Sequence, residues 1–566
     1  MINDQRRFPG AFFAALALAF TFLNLVASSA ALAQQPKQPN ILWLSCEDLS
    51  PRLGCYGDNT VPTPNIDRLA KQGIRYTNAF TATGVCAPCR NTIITGLYPM
   101  ESGAQYMRTG SRSAAIEEME DEELRERVKQ RKLYEATPPA GVRCFTEYLR
   151  EAGYYCTNNS KQDYQFKAPV TAWDVSSRQA HYKNRAEGQP FFAVFNNTVT
   201  HESGIFGDGR SPRVVDPDTV PVPSFLPDTP IVRRDIAWHY DNVAALDKWV
   251  GKQLDDLEEA GLADSTIVVF FTDHGSGLPR HKRWVYDSGT HVPLIVRFPD
   301  GYGAGTVDDR LMSFVDLAPT TLAMAGLERP NYMRGRVFTG PNADPSPEYV
   351  FMHRDRMDDA SFETIRAIRD KRYRYIRNYR PELPYLQPVP YRDRAATMGE
   401  IYRLKEAGEL NENQWHWTAT SKPEEELYDL QNDPDEVHNL AADPQHKEKL
   451  QELRSALSAW ITEINDPLAT PEMEVLRTRV WPPEGEQPVT ANPEILVTEE
   501  AVNSAGKQQV RVTIKCETDG ASIGYRLDGE GAWMIYTEPI DTVAAQIEVQ
   551  AHRIGWKPAM VTRELQ

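Results

Sequence analysis

Cys86, Pro88 and Arg90 stand in the run Thr83-Gly84-Val85-Cys86-Ala87-Pro88-Cys89-Arg90-Asn91, which sets a potential nucleophile four residues before a permanent cation. A thiol is the strongest nucleophile among the common side chains, and a guanidinium fork can fix the anions around it. Cys86 and Cys89 also form a C-x-x-C pair, a spacing used in redox and metal chemistry. No second Cys or His pair follows at zinc spacing. Two polar doublets, Glu47-Asp48 and Asp273-His274, each close a short apolar run. Such residues are either loop charge or ligands delivered at the carboxyl end of a strand.

The apolar runs name the elements that position these groups. Pro39 to Ser45 and Ser265 to Thr272 read as buried parallel strands, and Phe191 to Asn196 and Val292 to Phe298 look alike. Between them, Val243, Leu246, Val250, Leu254 and Leu257 recur at helical spacing over Asp241 to Ala260. Strands alternating with helices predict an α/β fold, a mostly parallel sheet sandwiched by helices. Ile116 to Lys132 is dense in Glu, Lys and Arg and reads as an exposed helical insertion.

Cys86-x-Pro88-x-Arg90, followed by Thr95-Gly96, resembles the formylglycine signature of type I sulfatases, members of the alkaline phosphatase superfamily. The resemblance extends over Pro39 to Pro467, including Thr63-Pro64-Asn65-Ile66-Asp67-Arg68-Leu69-Ala70, and takes in heparan N-sulfatase-like bacterial sulfatases. It implies that a maturation enzyme oxidises Cys86 to formylglycine (3-oxoalanine). One hydroxyl of the aldehyde hydrate attacks sulfur, and the sulfated hemiacetal then expels sulfate by elimination. The anionic oxygens of a sulfate ester repel a nucleophile, so metal and cationic side chains must neutralise them first.

The same resemblance assigns Glu47, Asp48, Asp273 and His274, with the Cys86-derived oxygen, to a Ca²⁺ site, since calcium prefers oxygen ligands. His274 is the unusual member and keeps zinc or manganese as alternatives. It assigns Arg90, Lys161, His201 and Lys282 to nucleophile positioning, sulfate binding and protonation of the leaving oxygen. His353-Arg354-Asp355-Arg356-Met357-Asp358 resembles a substrate-side segment, so His353, Arg354 and Arg356 are substrate-binding candidates; a solvated loop is the alternative. Two positions depart from the pattern: Asp163 and Ser102 stand where relatives have histidines, and the second leaves the elimination base unassigned, with Tyr106 and Arg108 nearby.

Organisation follows from composition. Residues 1–33 have the three-part layout of a cleavable secretory signal, which predicts export to the periplasm or the medium. Residues 34–340 read as the catalytic α/β domain, 341–480 as a smaller α+β subdomain with a helix from His446 to Ile464, and 494–566 as an appended β-sandwich. The strands Val510–Ile514, Ile523–Leu527 and Ile547–Ala551, with turns at Asp519-Gly520 and Asp528-Gly529, carry that last reading. No later stretch is long and apolar enough for a stable membrane span. Of 566 residues, 25% are charged and the net charge is -17, which opposes nucleic acid binding. Seven cysteines, an odd number, leave one outside any full pairing. The expected substrate is a sulfated saccharide, cleaved at a sulfate ester or sulfamate. A phosphonate monoester or phosphodiester hydrolase with the same nucleophile, and a decayed glycan-binding protein, are the alternatives.

Overall fold

Eight strands form the central sheet of this computed structural model: β1 (Asn40–Cys46), β2 (Ile74–Phe80), β3 (Tyr155–Asn159), β4 (Val175–Ser176), β5 (Phe191–Asn197), β6 (Thr266–Thr272), β7 (His291–Arg297) and β8 (Thr306–Ser313). Their order is β4-β3-β5-β1-β6-β7-β2-β8. Described residues are 38–107, 122, 126, 135–207, 213–357, 363–468, 470–480, 487–502 and 508–565. The signal segment, most of the charged insertion and Arg108 lie outside them.

Side-chain alternation along the strands divides the core in two. Leu42 and Leu44 of β1, with Val268 and Phe270 of β6, meet Ile66 and Leu69 of the helix Pro64–Gln72 and Val243, Leu246 and Val250 of the helix Pro230–Glu259. Ile41 and Trp43, with Val269 and Phe271, face the other way, onto Ile93, Ile94, Phe145 and Leu322. A strand buried on both faces is apolar at every position, so these strands read as unbroken runs. Trp43 fills the second layer, edge-on to Phe192 at 5.0 Å and to Phe271 at 5.1 Å.

Two elements differ from the sequence reading. β7 runs antiparallel to both its neighbours, β6 and β2, although its apolar pattern matches the parallel strands; hydrophobicity records burial and carries no direction. The long helix begins at Pro230, eleven residues before the expected start. Thr229 caps it by accepting from the Val232 amide at 3.4 Å, and Pro230 occupies the first turn; both are favourable at a helix start.

A second, antiparallel sheet follows, with β9 (Val350–Arg354), β10 (Ile365–Arg369), β11 (Tyr373–Asn378) and β12 (Glu425–Asp429) in the order β12-β11-β10-β9. The helix Lys447–Glu463 lays Leu453, Leu457 and Trp460 on Ile368, Tyr375 and Leu427 of this sheet. The tail is a β-sandwich. β13 (Glu494–Val502), β14 (Gln508–Lys515) and β17 (Ile540–Thr542) form one sheet; β15 (Ser522–Leu527), β16 (Met534–Ile535), β18 (Gln546–His552) and β19 (Ala559–Glu564) form the other. β14 and β15 belong to different sheets, so the Asp519-Gly520 turn crosses the sandwich and closes no hairpin. Gly520, at φ 71°, supplies the left-handed residue that this crossing requires. Among the described residues no helix is long and apolar enough to cross a membrane.

Candidate active site

Parallel register sets the site. β3, β5, β1 and β6 lie side by side, with Asn159 opposite Phe195, Cys46 opposite Asn197, and Cys46 opposite Thr272. Their carboxyl ends therefore fall on one line. Lys161 follows β3, Asn196 and His201 close or follow β5, Glu47-Asp48 follow β1, and Asp273-His274 follow β6. Ligand sites of α/β sheets form at this edge. Residues 81–85 then return the chain from β2 so that Cys86 opens the helix Cys86–Thr95.

The Cys86 thiol faces this line from the helix start, with Sγ 3.3 Å from Nε2 of His274. It is fully buried, bordered by Val85, Ala87, Met107 and Met357. Cys89, one turn on, is spoken for: its thiol donates to the Asp273 carbonyl at 2.8 Å and accepts from the Thr81 hydroxyl at 3.0 Å. Burial holds that thiol well above its usual pKa. All seven cysteines are unbridged, so the C-x-x-C pair forms no disulfide here, and the two sulfurs have different surroundings.

Glu47, Asp48 and Asp273 are buried carboxylates, 1%, 0% and 0% exposed. Isolated charges there would be prohibitive, so each is paired. Arg90 donates to Asp273 at 3.2 Å, to Glu47 at 3.4 Å and to the side-chain amide oxygen of Asn196, Oδ1, at 3.0 Å. Lys161 contacts Glu47. Lys282 donates to both oxygens of Asp48, at 3.1 and 2.9 Å, and lies 3.1 Å from Glu202. Burial opposes charge on these acids, but Lys161 with Arg90 at Glu47, and Lys282 with His274 at Asp48, win, and both acids sit below their ordinary range. His274 is the converse case: burial disfavours its charged ring, but Asp273 and Asp48 lift it to about 9.

His201 closes the cluster on its open side, with Nε2 3.9 Å from Glu47 and Nδ1 2.9 Å from the Ser203 hydroxyl. Burial, then the Lys282 charge, push its ring below the ordinary histidine value. Ligand atoms of Asp48, Cys86, Asp273 and His274 all lie within 4.8 Å of one another, as do those of Glu47, Asp48, Cys86 and His201. Convergent buried carboxylates with one imidazole fit a divalent cation that prefers oxygen donors.

Three groups here went unread in the sequence. Asn196 orients Arg90 and is itself held by donating to Asn158 at 2.9 Å. Glu202 takes both Arg283 nitrogens at 2.9 Å and donates its amide to Asp48 at 2.7 Å. Both Glu202 and Arg283 adjoin assigned residues, His201 and Lys282, and that adjacency was their signal.

The remaining candidates are placed as follows. His353, Arg354 and Arg356 are 0%, 2% and 2% exposed, so their charges do not belong to a solvated loop. His353 meets the Ala82 carbonyl at 3.2 Å, Arg354 donates to the Arg283 carbonyl at 2.9 Å, and the Arg356 carbonyl accepts from the Met107 amide at 3.2 Å. The segment thus braces the loops that carry Cys86 and Lys282. Ser102 donates to Asn91 at 2.6 Å, and Asn91 lies five residues along the helix from Cys86, about 7.5 Å at 1.5 Å per residue. Asp163 lies 3.9 Å from Lys161.

Cys86 at a helix start thus faces carboxylates gathered at the edge of a mostly parallel sheet, and the fold is the alkaline phosphatase-like fold of the sulfatases. The family profile described as Sulfatase matches residues 39–327, and that described as N-sulphoglucosamine sulphohydrolase, C-terminal, matches 279–415. An ulvan-active sulfatase of Formosa agariphila is 43% identical over 93% of this chain and 91% of its own. A structure solved in complex with its substrate D-glucosamine-2-N,6-O-disulfate shares the fold at TM-score 0.52, 19% identity, 77% of this chain and 99% of that one. So does a phosphonate monoester hydrolase of Silicibacter pomeroyi, at TM-score 0.54, 17% identity, 76% and 97%. The chain belongs to the sulfatase family and is a sulfuric ester hydrolase.

Proposed function

We propose that the protein removes sulfate from a sulfated polysaccharide fragment, ester or sulfamate, using formylglycine made from Cys86. The observation that carries this reading is the convergence of Glu47, Asp48, Asp273 and His274 on Cys86, in a chain 43% identical to an ulvan-active sulfatase. Ulvan fragments are therefore the first substrates to test. Ca²⁺ would be held by Glu47, Asp48, Asp273 and His274 and would supply positive charge against the sulfate oxygens. Formylglycine would supply a hydrated aldehyde that attacks sulfur and later releases sulfate by elimination.

The chain's own groups do the rest. Arg90 fixes Glu47 and Asp273 and so the floor beneath the nucleophile. Lys161 and Lys282 bring ammonium groups to the anionic substrate. His201, at the open side, is placed to hand a proton to the leaving sugar oxygen. His353, Arg354 and Arg356 border the substrate side through the loops they brace. We assign 34–340 to the catalytic domain, 341–480 to its C-terminal subdomain and 494–566 to an accessory sandwich, in a protein exported by residues 1–33.

Because a phosphonate monoester hydrolase shares the fold, the deciding experiment compares kcat/KM on an aryl sulfate and an aryl phosphodiester. A preference for sulfate supports the reading; a strong preference for the diester overturns it.

A further inference from the structure

Beside His201 stands a cationic aromatic wall that the catalytic cluster does not use. The Tyr391 ring lies 6.2 Å from the His201 ring and 5.5 Å from Phe206, edge-on to the latter. The Arg394 guanidinium lies 5.0 Å from the Phe206 ring and 5.6 Å from that of Tyr391. Tyr391 is 40% exposed, and Arg394 is exposed as well.

Arg394 differs from the other cations nearby. Lys161 and Lys282 are paired with Glu47 and Asp48, and Arg283 with Glu202. The neighbouring Arg392 donates to Asp393 at 2.8 Å. Among the described residues no carboxylate pairs with Arg394, in a chain whose net charge is -17. Its backbone is flanked by hydrogen bonds: Val389 and Asp393 hold each other at 2.9 and 3.1 Å, Arg392 donates to the Gln387 carbonyl at 2.7 Å, and the Thr397 amide donates to Asp235 at 2.8 Å. A preorganised guanidinium recognises a carboxylate or a sulfate in bidentate fashion. An exposed aromatic face beside it suits the apolar face of a pyranose.

We infer that Tyr391 and Arg394 form a saccharide subsite next to the leaving-group side of His201, where Tyr391 packs on a sugar ring and Arg394 pairs with a second anion of the substrate. This rests on the sulfatase reading of the Cys86 site. It narrows the substrate to saccharides that carry an anionic group besides the sulfate removed, either a uronate carboxylate or another sulfate.

The test is direct binding by calorimetry to full-length protein carrying Cys86→Ser, with and without Arg394→Gln, Arg394→Lys or Tyr391→Ala. The probes are sulfated uronate-containing oligosaccharides, the same oligosaccharides after carboxyl reduction, and a disulfated monosaccharide lacking a carboxylate. Arg394→Gln should raise Kd about tenfold or more for the probe whose second anion is recognised, with Arg394→Lys between and the melting temperature unmoved. Loss confined to the uronate probes identifies a carboxylate; loss confined to the disulfated probe identifies a sulfate. Absence of binding to every probe, or Kd values unmoved by Arg394→Gln, overturns the subsite. Converted enzyme that binds saccharide through Arg394 yet releases no sulfate would strike the sulfatase reading and leave the subsite standing.

Discussion

Nε2 of His274 stands between two functional atoms, 3.3 Å from Sγ of Cys86 and 3.2 Å from Oδ1 of Asp48. The ring is fully buried, so it serves no solvent-facing role. If it belongs to a cation site with Asp48 and Asp273, His274→Ala should weaken calcium binding about tenfold or more, and Asp273→Asn at least as much. Isothermal titration of chelator-treated protein measures this. An unchanged calcium affinity would remove His274 from the ligand set.

Lys282 is 4% exposed and lies between Asp48 and Glu202. Removing one partner of a buried ion cluster leaves uncompensated charge, at a cost of about 3–5 kcal/mol. Lys282→Met should therefore lower stability in urea by about that amount and reduce turnover at least a hundredfold. Lys282→Arg, which keeps the charge, should recover most of the stability and little of the rate. Denaturation curves and steady-state kinetics on the same preparations separate the two effects.

Ser102, set by the motif resemblance where a histidine is expected, has its hydroxyl committed to Asn91 at 2.6 Å and is fully buried. It is a structural tie between the nucleophile helix and the following turn. Ser102→Ala should cost about 1 kcal/mol of stability, the usual worth of one hydrogen bond, and change kcat by less than about threefold. A large fall in kcat with stability intact would instead make Ser102 a participant in the elimination.

Acid should destabilise the fold before it titrates the paired carboxylates. Burial pushes His353 and His239 down to about 3, against an ordinary 6.5. Between these values the unfolded chain takes up protons that the folded chain refuses. The contribution of these two rings is thus fully present above pH 6.5 and falls on acidification, by up to about 1.4 kcal/mol per pH unit for each ring. Urea denaturation from pH 6.5 to pH 4.5 should show this decline, with a shallower slope for His353→Gln.

What the sequence disclosed was what is local. A strand that ends in Glu47-Asp48, another that ends in Asp273-His274, and the spacing around Cys86 are readable because each is carried by a few adjacent residues. For Glu202 and Arg283 adjacency to His201 and Lys282 is the one local signal, and for Asn196 there is none. Their roles depend on β5 lying in parallel register with β1 and on the loop after β6 folding back over that edge, facts of pairing between distant segments. The direction of β7 is hidden for the same reason. Charge misleads at residues 353–356, since a run of His, Arg and Asp can read as a solvated loop, whereas here all four residues are buried, with the His353 and Arg354 side chains meeting the Ala82 and Arg283 carbonyls.

Formylglycine at residue 86 is the claim on which the mechanism turns, and peptide mass spectrometry of catalytically active protein tests it most directly. The fraction of chains whose residue-86 peptide carries the aldehyde or its hydrate should rise and fall in proportion to sulfatase activity across preparations, and Cys86→Ala should abolish both. Active protein in which residue 86 is wholly an unmodified thiol would contradict the account.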